Sequence, residues 1–271
     1  MGGGVAGLAA AWEARQRGDF ERIVVLEAGA RWGGKLATTH ISLPDGSGIL
    51  VDEGADAVLA RRPEALQLCE ELGLTDELTT PAVGRAKVFV GGSMQFLPAR
   101  TALGVPFDCE DPDVAAILGP AGVEELRQHD AVDHPALTED TAIGPLLRAR
   151  LGPTMVERIV GPLVGGINAG DIDRLSTAAV VPAIFTAAQR GGSLTAAVAS
   201  AAAPNDGPVF VALRGGMERL IGRLVEVLDQ RGVELRLNAP VTEISAARRG
   251  ARLRTLTEDV DADATVITTP A

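Results

Sequence analysis

The stretch Gly2-Gly3-Gly4-Val5-Ala6-Gly7 matches the pattern G-x-G-x-x-G and leads into a segment whose apolar residues have helical spacing. In such a turn the first glycine permits a sharp bend, the second lets a pyrophosphate approach the backbone, and the third lets the helix pack closely against a strand. The N-terminus of the helix adds N–H donors and the positive end of its dipole. The stretch therefore predicts a βα turn that binds a dinucleotide.

An acidic residue stands where ribose recognition requires one. Residues 22–27 (Arg-Ile-Val-Val-Leu-Glu) form a short apolar run, which is typical of a parallel strand buried on both faces. Glu27 ends this run 20 residues after Gly7, and an acid at that distance binds a ribose hydroxyl in dinucleotide-binding folds. The alternative is an ordinary βα turn followed by an unrelated surface glutamate.

Composition excludes several classes of protein. The 271 residues are enough for about two domains, and 25 basic against 36 acidic residues give a net charge of −11. That balance argues against nucleic acid as a partner. With only Cys69 and Cys109, a disulfide framework is excluded and a reducing compartment is favoured. Neither a membrane-spanning run nor a signal segment is visible, so we expect a cytoplasmic protein, with peripheral membrane association left open.

Apolar periodicity divides the chain into three parts. Residues 1–80 alternate helix and strand patterns, and the same alternation returns over residues 208–271, with strand candidates at 241–245 and 264–269 among others. Residues 81–207 carry a β-hairpin pattern followed by mainly helical segments. We therefore predict an α/β fold: a discontinuous, Rossmann-like nucleotide-binding domain of residues 1–80 and 208–271, with a mainly helical substrate-binding domain inserted over residues 81–207.

A second glycine cluster narrows the choice of dinucleotide. The sequence Glu27-Ala-Gly-Ala-Arg31-Trp-Gly33-Gly34-Lys35 resembles the E-x-x-x-R-x-G-G-[KR] extension of flavoproteins with a glutathione-reductase-type FAD domain, in the flavin amine oxidase superfamily. Two glycines permit close backbone approach, and Arg31 could meet a phosphate as a bidentate fork. The alternative is a solvated turn with two surface cations. Together the two glycine motifs favour FAD over NAD.

Later segments resemble one branch of that superfamily, the protoporphyrinogen and coproporphyrinogen III oxidases. The resemblance rests on the order of several blocks, at residues 51–74, 88–106, 161–176, 213–217 and 241–244. Gly161 and Asn168 depart from the family pattern, which usually has an acid and a tyrosine there. Both ends are short relative to the family, so we expect a fragment truncated at both ends that lacks oxidase activity on its own and holds FAD weakly or not at all.

The resemblance implies FAD as the cofactor, with three groups of contacts. The nucleotide half of FAD would contact Gly2, Gly3, Gly4, Val5, Ala6, Gly7, Glu27, Ala28, Arg31, Gly34 and Lys35. The flavin would lie beside Gly54, Ala55, Asp56 and Ala57. Val241 would contact adenine through its backbone, with a purely structural buried-strand role as the equal alternative.

The resemblance also implies oxygen-dependent oxidation of a porphyrinogen, either coproporphyrinogen III or protoporphyrinogen IX, to the porphyrin in heme biosynthesis, with hydrogen peroxide as by-product. No catalytic side chain is predicted, because the flavin itself accepts the hydride. No metal ligands are predicted either, since His40, His129 and His134 lack ligand spacing to cysteines or acids. The alternatives are a carotenoid desaturase, an amine oxidase, or a non-catalytic remnant of such an enzyme.

Overall fold

Helix α1 begins directly after Gly4, inside the first glycine motif. In the computed structural model, which describes residues 1–82, 85–202 and 207–270, α1 spans Val5–Arg17 and ends at Gly18, whose φ of 73° is left-handed. Residues 83, 84 and 203–206 of the predicted substrate-binding domain and residue 271 of the predicted nucleotide-binding domain lie outside the described residues.

The remaining elements follow in chain order. The strands are β1 (Val24–Leu26), β2 (Thr38–Ser42), β3 (Gly48–Asp52), β4 (Val58–Leu59), β5 (Leu78–Thr79), β6 (Lys87–Val90), β7 (Ser93–Phe96), β8 (Thr101–Ala102), β9 (Val105–Pro106), β10 (Phe210–Leu213), β11 (Glu234–Arg236), β12 (Glu243–Ala246), β13 (Ala251–Arg254) and β14 (Asp259–Ala262). The further α-helices are α2 (Pro63–Glu71), α3 (Pro112–Asp130), α4 (Ile143–Leu151), α5 (Pro153–Met155), α6 (Gly166–Asn168), α7 (Thr177–Val180), α8 (Pro182–Ala188), α9 (Leu194–Ala201) and α10 (Glu218–Gln230). A 3-10 helix covers Thr75–Glu77 and a π-helix covers Val156–Gly165.

The described residues form two compact units, one of residues 1–82 with 207–270 and the other of residues 85–202. In the first unit β1 pairs in parallel with β11, and antiparallel pairs join β2 to β3, β10 to both β4 and β5, and β12 to β13 to β14. Helices α1 and α10 bury their apolar faces in one core, which contains Leu8, Trp12, Leu220, Ile221 and Leu224. This unit has the α/β character that the sequence predicts.

The predicted strand at 264–269 is wrong. The segment is extended, but its backbone partner is Met1: the Thr268 N–H donates to the Met1 carbonyl at 2.9 Å, and the N-terminal amine donates to the Val266 carbonyl at 2.6 Å. Gly2 in turn donates to the Leu26 carbonyl at 2.8 Å. These bonds do not continue into a ladder, so residues 264–269 form no strand in the described part of the chain.

The second unit contains the antiparallel pairs β6–β7 and β8–β9 and is otherwise mainly helical around its own apolar core. The core holds fully buried residues from α3, α4, α5, the π-helix and α8, among them Leu126, Leu147, Met155, Ile159 and Ile184. Gly119, with a φ of 70°, and Pro120 break α3, and Arg158 donates to the Ile117 and Leu118 carbonyls at 3.1 Å. This side chain satisfies carbonyls that the break leaves without helical partners. Among the helices of the described residues, none combines the length and apolar character of a membrane span.

Candidate functional site

The three motif glycines of the first turn have three different surroundings. Gly2 has a φ of 102°, which favours glycine. A Cβ atom on Gly7 would overlap the carbonyl oxygen of Gly2, so the helix approaches the turn as closely as a bare backbone allows. Gly4 has an ordinary φ of −75°, and among the described residues a Cβ there would meet only the Gly33 carbonyl oxygen, at 3.9 Å. The Cβ side of Gly4 is therefore largely open.

The second glycine cluster, residues 29–35, forms a loop that lies against the first glycine turn, residues 2–7; we call it the second glycine loop. The Gly33 N–H donates to the Gly3 carbonyl at 2.8 Å, and a parallel β-bridge joins Gly4 to Gly33. A Cβ atom on Gly34, whose φ is 57°, would lie 3.3 Å from the Gly4 Cα. The two motifs are thus neighbours in space, although about thirty residues separate them in the sequence.

Glu27 faces the first glycine turn. Its Oε2 accepts a hydrogen bond from the Gly3 N–H at 2.6 Å, and its Oε1 accepts one from the Gly29 N–H at 2.7 Å. Two backbone donors therefore hold the carboxylate beside the turn. The side chain is half-buried, so one side of it stays accessible to solvent.

Arg31 is used within its own loop. Its Nη2 donates to the Gly34 carbonyl at 2.7 Å, and its Nη1 donates to the carbonyls of Trp32 and Leu36 at 3.2 and 3.3 Å. The guanidinium thereby orders the loop that carries Gly33 and Gly34. Its predicted contact with a phosphate stays a prediction.

The predicted flavin segment begins beside the second glycine loop. It follows β3 after one intervening residue, Glu53, and a Cβ atom on Gly54 would overlap the Lys35 carbonyl oxygen. Ala55 and Asp56 are exposed, Ala57 is half-buried, and Lys35 is exposed. Of the other predicted contact residues, Val5, Ala6, Ala28 and Gly34 are exposed as well.

Val241 lies near Glu27 but outside a strand. It is half-buried in a small cluster with Leu26 and Met1, and β12 begins two residues later, at Glu243. The predicted strand over 241–245 is therefore wrong at its start. Backbone bonds from Asn238 to Gly29 at 2.9 Å and from Ala239 to Glu27 at 2.8 Å hold the preceding segment against the acidic end of β1.

Sequence reasoning missed one cluster of polar side chains in this unit. Thr38, Asp52 and Glu218 form hydrogen bonds with one another or with each other's backbone. Only Asp52 stood inside a motif, and no local spacing connects it with Glu218. The signal available in the sequence was the apolar run at residues 49–51, which is followed by the carboxylate of Asp52 two residues before Gly54.

Comparison with known proteins settles the family. Residues 5–271 match the family described as flavin containing amine oxidoreductase. The chain belongs to this family. Membership in a flavin-containing oxidoreductase family confirms the predicted class of enzyme and the predicted FAD cofactor.

Relatives within the flavin-containing amine oxidoreductase family include coproporphyrinogen III oxidases. That of Propionibacterium freudenreichii is 34% identical over 281 residues, with 89% of this chain and 51% of the relative covered. That of Bacillus subtilis is 26% identical, with 100% of this chain and 59% of the relative covered. The resemblance to the porphyrinogen oxidases is therefore confirmed. The chain spans about half the length of the curated relatives it matches.

Solved structures agree on the fold. A protein from Exiguobacterium sp. 255-15, provisionally assigned as a protoporphyrinogen oxidase, is 32% identical with a TM-score of 0.80, over 98% of this chain and 58% of the other. A putrescine oxidase bound to putrescine has a TM-score of 0.62 at 19% identity, over 97% and 55% of the two chains, which shows the fold alone.

The site residues fit the family's flavin nucleotide. Three features lie together at the N-terminus of α1. They are the open side of Gly4, the contact between the two glycine loops and the carboxylate of Glu27. An open glycine at a helix N-terminus suits a pyrophosphate, and a carboxylate beyond it suits a ribose.

Proposed function

We propose that this chain carries the FAD nucleotide site of an oxidase that converts coproporphyrinogen III to the porphyrin in heme biosynthesis. Oxygen is the electron acceptor in this proposal and hydrogen peroxide the by-product. The observation that carries it is the contact between the two glycine loops, with Gly4 open and Glu27 beside it. Coproporphyrinogen III rather than protoporphyrinogen IX is supported by curated relatives of 34% identity named for that substrate, whereas the protoporphyrinogen oxidase of Bos taurus is 28% identical.

The chain's residues bind and orient the cofactor in this proposal. The pyrophosphate lies over Gly4, against the N–H groups of the first turn of α1, where Val5 and Ala6 are exposed. Glu27 accepts hydrogen bonds from ribose hydroxyls, and Val241 lies on the adenine side. Gly54, Ala55, Asp56 and Ala57 line the flavin. Bound FAD supplies the hydride acceptor.

The two units have different roles in this proposal. Residues 1–80 and 208–271 bind FAD, and residues 81–207 form part of the substrate-binding domain. The partners are then small molecules, the porphyrinogen and oxygen, and the location is the cytoplasm. The net charge of −11 supports small molecules rather than nucleic acid as partners, since proteins that bind nucleic acid usually carry a basic surface.

Glu27→Ala is expected to raise the Kd for FAD by one to two orders of magnitude. Losing a hydrogen bond to a charged group costs about 1.5–3 kcal/mol, which corresponds to roughly 10–150-fold in affinity. The measurement is a titration of FAD into the purified chain, followed by flavin fluorescence. Glu21→Ala serves as the control, because Glu21 is exposed just before β1.

The two variants separate a local effect from a general one. An unchanged Kd in Glu27→Ala contradicts the ribose contact. Equal weakening in Glu21→Ala contradicts it as well, because a charge effect of the whole surface would then explain both.

The substrate is tested in the organism that carries the coding sequence. Inactivating that sequence is expected to cause accumulation of coproporphyrinogen III, measured as coproporphyrin fluorescence after oxidation of extracts. Reintroducing the whole unchanged gene should restore the original level. Accumulation of protoporphyrinogen IX instead, or no change in either compound, contradicts the proposed substrate.

A further inference from the structure

A small polar cluster joins the β2–β3 hairpin to the start of α10. We call Thr38, Asp52 and Glu218 the hairpin–helix cluster. Asp52 Oδ1 accepts hydrogen bonds from Thr38 Oγ1 at 2.6 Å and from the Met217 N–H at 2.9 Å. Glu218 Oε2 accepts one from the Thr38 N–H at 2.9 Å. The hairpin is thereby fastened to Met217, which lies 165 residues after Asp52 and directly before α10.

The junction is closely packed around these atoms. Gly216, with a φ of 95°, stands directly before Met217, and a Cβ atom there would overlap Thr38 Oγ1 and lie 3.0 Å from Asp52 Oδ1. All three side chains of the cluster are at most half-exposed. The hydrogen bonds therefore form at one defined position and leave little room for water to replace them.

The hairpin end held by this cluster leads into the proposed flavin segment. Asp52 is the last residue of β3, and the Glu53 N–H donates to the Ala37 carbonyl at 2.8 Å. The next residue, Gly54, packs against the Lys35 carbonyl of the second glycine loop. A shift of the hairpin end would therefore move residues 54–57 relative to that loop.

The helix held by this cluster supports the same loop from another side. A Cβ atom on Gly33 would lie 3.3 Å from Cγ1 and Cγ2 of Ile221 in α10. Ile221 is buried in the core with Leu8 and Trp12 of α1, the helix that follows the first glycine turn. The hairpin–helix cluster thus ties the hairpin end before residues 54–57 to α10, and α10 in turn contacts the second glycine loop through Ile221.

We infer that Asp52 is a positioning residue for FAD, which holds residues 54–57 against the second glycine loop through Thr38 and the Met217 N–H. The inference rests on the proposed FAD site and adds to it a residue that does not touch the cofactor. What Asp52 contributes is an acceptor oxygen at one place. Asparagine retains that oxygen, whereas leucine has a similar shape and no acceptor.

The other end of the hairpin offers a matched control. Asp45, in the turn between β2 and β3, accepts hydrogen bonds from the Ser47 N–H at 2.9 Å and from Ser47 Oγ at 2.6 Å. These bonds have the same kinds of donor and the same lengths as those of Asp52. A five-residue strand is about 16 Å long, so Asp45 lies far from residues 54–57.

The test compares FAD binding by the 271-residue chain and three variants, measured by fluorescence titration. Asp52→Leu is expected to raise the Kd for FAD about tenfold or more. Asp52→Asn and Asp45→Leu are expected to bind like the unchanged chain, within about threefold. Hydrogen exchange of the unliganded chain should become faster over residues 53–57 in Asp52→Leu alone.

Each result has a definite meaning. A chain that binds no FAD overturns the proposed function, and the inference with it. If the chain binds FAD, unchanged affinity in Asp52→Leu overturns the inference alone, and so does equal weakening in Asp52→Asn or Asp45→Leu. Should Asp52→Leu fail to fold, Thr38→Val removes the hydroxyl donor while keeping the side-chain shape. Its FAD affinity must then fall, or the inference is wrong.

Discussion

Replacing Gly4 with valine is expected to abolish FAD binding while leaving the chain folded. The φ of Gly4 is −75°, a value that any residue adopts, and a Cβ atom there would meet only the Gly33 carbonyl oxygen, at 3.9 Å. The valine methyl groups would therefore enter the open space over the turn, where we propose that the pyrophosphate lies. We expect a loss of a hundredfold or more in affinity, which corresponds to about 2.8 kcal/mol.

The measurement is the flavin content of the purified variant after reconstitution with FAD, with circular dichroism to verify folding. Gly222→Val is the matched control, because Gly222 is exposed in α10 and a Cβ atom added there would meet no other atom within 4 Å. A Gly4→Val protein that still retains a full equivalent of FAD would exclude a phosphate site at this turn.

Replacing Gly7 with alanine is expected to weaken the fold itself, by lowering the free energy of unfolding by about 3 kcal/mol. The new Cβ would overlap the Gly2 carbonyl oxygen and lie 2.8 Å from Thr268 Oγ1. Because the Gly2 oxygen belongs to the backbone, it can move away only if the turn or the helix shifts. In an unconstrained helix the same substitution stabilises by about 1 kcal/mol, so even the sign of the effect is informative.

Urea unfolding of the chain without FAD measures this effect, with Gly4→Ala as the comparison. Gly4→Ala should change the free energy of unfolding by less than about 0.5 kcal/mol, because its Cβ has room. If Gly7→Ala proved as stable as the unchanged chain, the close contact between α1 and the first glycine turn would be refuted.

Local sequence patterns predicted the elements whose requirements are local. A glycine turn before an apolar helical stripe implies where α1 starts, since backbone conformation and helix capping depend on a few adjacent residues. The apolar run before Glu27 implies a buried parallel strand, and β1 pairs in parallel with β11 in the structure. The paired glycine motifs pointed to a flavin nucleotide, which family membership confirms.

Patterns of apolar residues failed where pairing depends on distant partners. The run at 264–269 is apolar enough for a strand, yet within the described residues its backbone bonds reach only Met1. The charged segment of β14 has weak strand character, but it pairs with β13 and places Asp261 opposite Arg252, with which it forms an ion pair. A strand needs a neighbour to satisfy its backbone groups, and the identity of that neighbour is not written in the strand itself.

Side-chain partners were decided by the tertiary structure for the same reason. The sequence marked Arg31 as a cation near a glycine pair, but only the folded loop turns its guanidinium toward the carbonyls of Trp32, Gly34 and Leu36. Asp52 meets the Met217 N–H across 165 residues of sequence. Backbone conformation responds to adjacent residues, whereas a hydrogen bond needs two atoms within about 3 Å, and only the complete fold brings such distant atoms together.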